Sequence, residues 1–263
     1  SEMQNNNGRM SMDQDEIKVK SLKKALDVLN CFLVKPTWGV TEISDRLGLY
    51  KSNVYDILTT LKAMDYLEKD EETERYKLGM QVFALSRAME ETFSIIKIAM
   101  PYMQELANFT NERVYLAIPH DGEVVYLEAT YPTESVNLMR SILGERADMH
   151  CTGIGKAMLA NLSEEEINAY LQRDLAVYTD HTISDPVQLR AELEATRQRG
   201  YAIDDMEHEF GVKCVAMPIF DKTHKLYAAI SVSGLAVHFT DDQIQEWALL
   251  IKKYVAKIEN RLS

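Results

Sequence analysis

Residues 41–67, TEISDRLGLYKSNVYDILTTLKAMDYL, decide the reading of the N-terminal third of the chain. Ile43 and Leu47 are spaced for one face of a short helix, and Thr41 is placed to cap it by accepting from a free backbone N–H. Gly48 supplies the permissive backbone that a sharp turn between two helices needs. Beyond it Val54, Ile57, Leu58, Leu61 and Met64 recur at helical spacing and give a second helix its buried face. The first turn of that helix carries Lys51, Ser52, Asn53 and Tyr55, groups that a recognition helix sets against phosphates and base edges. Two amphipathic helices around a glycine also make an ordinary helical hairpin, so this stretch alone leaves both readings open.

The flanks favour one of them. Residues 66–78, YLEKDEETERYKL, hold two short strand-like runs around a charged tip and predict a β-hairpin directly after the second helix. Upstream, Leu22, Ala25, Leu26, Leu29, Phe32 and Leu33 form one stripe of a further helix, with Ser21 as its cap and Cys31 as a small packing residue. Pro36 and Gly39 end it. Three helices and a hairpin over residues 17–78 describe a winged helix-turn-helix. Its candidate DNA contacts are Thr41, Lys51, Ser52, Asn53 and Tyr55, with Lys69 and Arg75 on the hairpin.

Charge is distributed in keeping with this division. The formal net charge is -12, but residues 18–80 carry 11 Lys/Arg against 10 Asp/Glu while residues 81–263 carry 17 against 27. The acidic C-terminal part should keep away from DNA, and the near-neutral head should bind it with modest, salt-sensitive affinity helped by oligomerisation. Three cysteines without paired spacing argue against a disulfide framework. No apolar run approaches the roughly 20 residues of a membrane span, so a cytoplasmic protein is expected. Residues 1–16, polar and Asn-rich, read as a disordered arm or in part a remnant of the expression vector.

Residues 79–97 show a helical pattern through Val82, Phe83, Leu85, Ala88 and Met89 that is too apolar for a solvated connector. A linker helix packing on a second copy fits, and burial on its own C-terminal domain is the alternative. From residue 98 the pattern is mixed. A helix runs from Met100 to Phe109 with Pro101 near its start. Strands are expected at 113–119, 124–131, 136–140, 214–220 and 226–233, the first two joined across His120-Asp-Gly-Glu123. Helices are expected at 153–161, from a Ser163/Glu166 capping box, from Asp185-Pro186 to Gly200, and from Thr240 to the end. This is an α+β domain, an antiparallel-rich sheet with helices packed on it. No internal repeat or low-complexity tract is evident.

Three regions of this domain carry chemistry. In HCTGIGKAMLA (150–160) Gly153 and Gly155 precede an apolar helix and leave N–H groups suited to an anion, although the spacing is not that of a Walker loop. In GYAIDDMEHEFGVKCVAMPIFD (200–221) Asp204 lies near a strand beginning at Cys214, and a single histidine among the acids gives no closed metal-ligand spacing. Ser231 and Ser233 occupy alternate positions of one strand and so one face. Together they outline a small polar pocket suited to an oxo acid. A thiol-dependent enzyme acting on a keto acid is the competing reading, with Cys214 as nucleophile and His208 or His150 as base; no oxyanion donor or orienting residue is identifiable for it.

Gly200, Asp204, Glu207, Cys214-Val215-Ala216 and Ile219-Phe220-Asp221 together resemble the C-terminal signature of the IclR family of bacterial transcription regulators. HCTGIGKAMLA, VKSLKKALDVL and KSNVYDILTTLKAMDYLEKD are similar to other segments of that family, so the likeness runs over about residues 18–262. It implies a winged helix-turn-helix domain, a linker helix and a GAF/PAS-like effector domain. It also implies dimers, often paired into tetramers, that repress or activate operons for small carbon sources without catalytic activity, cofactor or metal. The effector would be glyoxylate, pyruvate or a sugar-derived keto acid, held by the N–H groups of Gly153 and Ile154 with Asp204, Cys214, Ser231 and Ser233. Two positions depart from the family pattern. Asp56 stands where arginine is common, and Asp65 where glycine is common, which is expected to alter how the chain enters the wing.

Overall fold

The computed structural model describes residues 17–92, 94–134 and 144–262. The arm expected at 1–16 and the strand expected at 136–140 lie outside them. The chain divides into two compact units between Thr92 and Phe93.

The first unit contains α1 (Lys20–Asn30), a 3-10 turn (Cys31–Leu33), α2 (Val40–Leu47), α3 (Lys51–Ala63), β1 (Leu67–Lys69), β2 (Tyr76–Leu78) and α4 (Met80–Thr92). Val28, Phe32, Trp38, Ile43, Val54 and Leu58 are among its buried core. Gly48 ends α2 at φ 64 and donates to the Ser44 carbonyl, while Ser44 Oγ donates to Leu49 O at 2.6 Å. The turn between α2 and α3 is thus closed by backbone and hydroxyl together. β1 and β2 pair antiparallel, and Trp38 adds a third short bridge to Tyr76.

Several local expectations are corrected. Thr41 does not cap α2: the helix begins at Val40, and Glu42 Oε2 reaches back to accept the Gly39 N–H at 2.9 Å. Ser21 likewise lies inside α1, whose N-cap position is Val19. Cys31 belongs to the tighter turn after α1, its thiol donating to Asp27 O. The expected apolar stripe is divided: Phe32 is buried while Leu22, Leu26 and Leu33 are exposed, and Val28, outside the stripe, is buried instead. Asp65 takes the left-handed backbone usual for glycine, at φ 61.

In the second unit α5 (Ser94–Thr110) is followed by β3 (Arg113–His120), β4 (Glu123–Thr130), β5 (Arg146–Asp148), α6 (Gly153–Leu159), α7 (Glu164–Leu171) and α8 (Pro186–Arg199). Then come β6 (Ala202–Asp205), β7 (Val212–Phe220), β8 (Leu226–Leu235) and α9 (Asp241–Glu259). The strands form one antiparallel sheet in the order β5-β4-β3-β8-β7-β6. Period-two alternation divides each strand between two cores. Val114, Leu116, Ile230 and Val232 face α5 and α9, whereas Tyr115, Ala117, Ala216 and Ala229 face α6, α7 and α8.

The β3–β4 turn is the two-residue Asp-Gly connection, with Asp121 at φ 52 and Gly122 at φ 74. Thr152, Ser163, Asp185 and Thr240 each cap a helix through a side-chain oxygen. The helix expected from Met100 starts at Ser94 instead, since Ile95 and Ala99 are buried in this core. Pro101 therefore sits in its interior and cannot donate to the Lys97 carbonyl. β5 and β6 carry no strand pattern in the sequence; β6 reads as an acidic loop because two of its four residues are aspartates.

Candidate functional site

In the first unit the start of α3 stands out from the core. Val54 and Leu58 are buried, and Lys51, Ser52, Asn53, Tyr55 and Asp56 are exposed. The N-cap residue Tyr50 makes no side-chain hydrogen bond, so the N–H groups of the first turn are available to an anion. Beside this turn Thr41, Tyr55, Lys69 and Arg75 share a groove of about 350 Å³.

The two candidate contacts on the wing are already engaged, as is the third wing cation, Lys77, which pairs with Glu68 at 3.0 Å. Lys69 is paired with Glu74. Arg75 donates to Thr37 Oγ1 and Thr37 O at 3.1 Å and to Glu42 at 2.7 Å. Glu42 also accepts from Lys35 at 2.7 Å, and this bond leads the causes that lower its pKa to about 2. Arg75 thus ties the hairpin to the start of α2. Lys51 has no ion-pair partner among the described residues.

The second unit gathers its expected site residues on the face of the sheet that carries α6. Asp204, Cys214 and Ser233 are direct cross-strand neighbours on β6, β7 and β8. Ser231 lies one step along the same face, paired with Ala216 and Tyr115. The Cys214 thiol donates to Ser233 Oγ at 3.1 Å. Gly153 is pressed against this row, since a Cβ on it would meet Cys214 Cβ at 3.0 Å and Asp204 N at 3.3 Å. Only glycine brings the start of α6 so close. Asp204, Ser231, Ser233 and Ile154 are all buried.

Burial sets the electrostatics here. Desolvation raises the Asp204 carboxyl to about 7, although the Glu207 N–H donates to its Oδ1 at 2.7 Å and Lys156 also opposes the rise. Near neutrality this group both donates and accepts. The Cys214 thiol is pushed well above its ordinary value by burial, so the nucleophile of the enzymatic reading is absent. Its proposed bases point elsewhere: His150 contacts Tyr170 Oη and Ala176 O, and His208 stacks on Tyr178. Among the described residues no group of three His, Cys, Asp or Glu is placed to hold a metal.

Three features escaped sequence reasoning. Lys156 is 1 % exposed, bonded to Glu207 and 3.8 Å from Glu192. A lone lysine inside an apolar helix was the available signal. Tyr115 and Tyr126 meet edge to face at 5.5 Å, with Tyr115 on the same face as Ser231. Residues 179–182 strap the turn after β6, Thr179 and Thr182 donating to the carbonyls of Met206 and Glu207 at 2.7 and 2.6 Å.

A winged helix-turn-helix unit followed by an α+β unit whose sheet buries a small polar row has the architecture of a DNA-binding regulator. Residues 88–260 match the family described as bacterial transcriptional regulator IclR C-terminal, and residues 21–71 match the IclR helix-turn-helix domain. The chain belongs to the IclR family of DNA-binding transcription regulators and is not an enzyme. It is 30% identical to the acetate operon repressor of Salmonella typhimurium over 91% of this chain and 89% of that protein. The Thermotoga maritima IclR crystal structure superposes with a TM-score of 0.78 at 32% identity, covering 92% of this chain and 98% of that one. An IclR homologue from Microbacterium hydrocarbonoxydans complexed with 4-hydroxybenzoate shares the fold, with a TM-score of 0.80 at 22% identity and coverage of 91% and 98%. No helix among the described residues is long and apolar enough to cross a membrane.

Proposed function

We propose that the chain controls a catabolic operon for a small carbon source in the cytoplasm, and that a small oxo acid or sugar acid is its effector. The observation that carries this reading is the buried row of carboxyl, thiol and hydroxyl groups against the start of α6. A donor-acceptor carboxyl, two serine hydroxyls and the N–H groups of Gly153 and Ile154 suit a molecule with a carboxylate and a second oxygen. The homologue crystallised with 4-hydroxybenzoate supports a small carboxylic acid, and the acetate operon repressor supports a catabolic target.

On the DNA side Lys51, Ser52, Asn53 and Tyr55 contact phosphates and base edges, with Thr41 and Lys69 at the groove beside them. Arg75 contributes by holding the wing in place. The functional unit is a homodimer that can pair further into a dimer of dimers, because two half-sites need two recognition helices. The exposed Leu22 and Leu26 of α1 and Phe83, Leu85 and Met89 of α4 offer apolar surface for that pairing.

The test is a low-salt gel shift on DNA upstream of the gene, with and without C2–C6 oxo acids and sugar acids. Retention that one such acid alters, with Ser233→Ala abolishing the alteration, is the expected result. No retention under any condition would refute the regulator, and an unchanged ligand response in the variant would refute the site.

A further inference from the structure

Resting on the DNA side of that reading, we infer that Glu74 withholds Lys69 from the DNA backbone. Its carboxylate occupies the ammonium where a phosphate would, and so keeps the sequence-independent part of the head's affinity low. The wing is richer in acid than in base: Glu68, Asp70, Glu71, Glu72 and Glu74 stand against Lys69, Arg75 and Lys77. Strand register sorts the cations. Lys69 lies opposite Tyr76 and Glu68 opposite Lys77, so alternation puts Lys69 on the face of Tyr76 and Lys77 on the other. Lys69 and Tyr76 line the groove shared with Thr41 and Tyr55 of the reading helices, and Thr73 and Glu74 line it too. Arg75, also in this groove, is held by Thr37 and Glu42. Lys69 is therefore the groove cation with a single ion-pair partner among the described residues, and that partner is Glu74.

The local backbone places the carboxylate there. Asp70 Oδ1 accepts from the N–H groups of Glu72 and Thr73 at 2.9 and 3.0 Å, and the Asp70 N–H donates to Arg75 O at 2.8 Å. This tight loop leaves position 74 at φ 57, a conformation that glycine adopts freely and a longer side chain only at a cost. The Lys69 side chain is 17% exposed and that of Glu74 68%, so an anion arriving from solvent meets the carboxylate before the ammonium. The bond to Glu74 also leads the causes that raise the Lys69 pKa.

A paired ammonium and carboxylate present a phosphate with no net charge, and so add nothing to the release of counterions from DNA. Phosphate contacts carry no base information, which means that this pairing lowers affinity for every duplex alike. The base-reading residues of α3 are left to decide where the head stays.

The experiment is fluorescence anisotropy of the full chain on a random-sequence duplex and on DNA upstream of the gene, from about 50 to 200 mM salt. Glu74→Gln should tighten both duplexes roughly twofold to fivefold and steepen the slope of log K against log salt by just under about 1. Glu74→Gly, which suits the left-handed backbone, should do the same. Glu72→Gln is the control, removing the same charge from an acid with no ion-pair partner among the described residues; its gain should be smaller. With Lys69→Gln already present, Glu74→Gln should gain no more than Glu72→Gln does. A Glu74→Gln effect that matches the control, or that survives Lys69→Gln at full size, is simple repulsion and overturns the inference; so does an unchanged slope. Loss of affinity in Lys51→Ala beside an indifferent Glu74→Gln removes the wing's part alone. Wild-type protein that binds neither duplex refutes the DNA side of the reading as well.

Discussion

Replacing Asp204 with asparagine should remove a pH dependence from the folding of the effector unit. Burial raises this carboxyl from 3.8 to about 7. A carboxyl raised on folding contributes stability that is full below its unfolded pKa and is lost as pH climbs to the folded one. At about 1.36 kcal/mol per unit, the loss between pH 5 and pH 8 comes to about 2.5 kcal/mol, most of it before pH 7. Glu207 and Glu112, also raised by burial, slope the same way in both proteins, so the quantity to follow is the difference between them. Asparagine retains an oxygen for the Glu207 N–H and carries no charge to desolvate. Urea unfolding of wild type and Asp204→Asn by circular dichroism at pH 5, 6, 7 and 8 measures it. The variant should gain about 2.5 kcal/mol on wild type across that range, or roughly 5–10 °C in melting temperature for a unit of this size. A difference that stays constant with pH would refute the assignment of a raised, buried carboxyl.

Lys51→Ala should weaken DNA binding and reduce the slope of log K against log salt by about 1, as loss of one phosphate contact requires; an unchanged slope in fluorescence anisotropy removes Lys51 from the backbone contacts. Gly79→Ala should destabilise the head by about 1–3 kcal/mol, because its Cβ would lie 2.4 Å from the Asp65 carbonyl oxygen at the exit from the wing. Thermal unfolding of the head at a wild-type midpoint would contradict that.

The elements that sequence made legible are those with strong local chemistry. Gly48, the Asp-Gly turn, the Ser163 box and the Asp185-Pro186 start each demand a backbone geometry that few other residues supply, and each is found where expected. Thr41 and Ser21 were misread because capping depends on where a helix starts, and a glutamate reaching back to Gly39 moved one start ahead of the threonine. Asp204, Cys214, Ser231 and Ser233 were identifiable as polar residues near or within apolar strands. Tyr115 was not, since nothing local says that β3 will lie beside β8 rather than at an edge. Cross-strand register is a tertiary fact. The buried Lys156–Glu207 pair hides for the same reason, its partners being 51 residues apart.

The sheet of the second unit is also a partition. Ser231 and Ser233 lie on the face of the sheet that carries α6 while Ile230 and Val232, their immediate neighbours along β8, bear on the opposite compartment that holds α5. Since α5 is the first helix of this unit, any displacement of β8 by the proposed effector would be felt one strand-thickness away, at the helix with which the unit begins. The wall between the two compartments is a single layer of backbone.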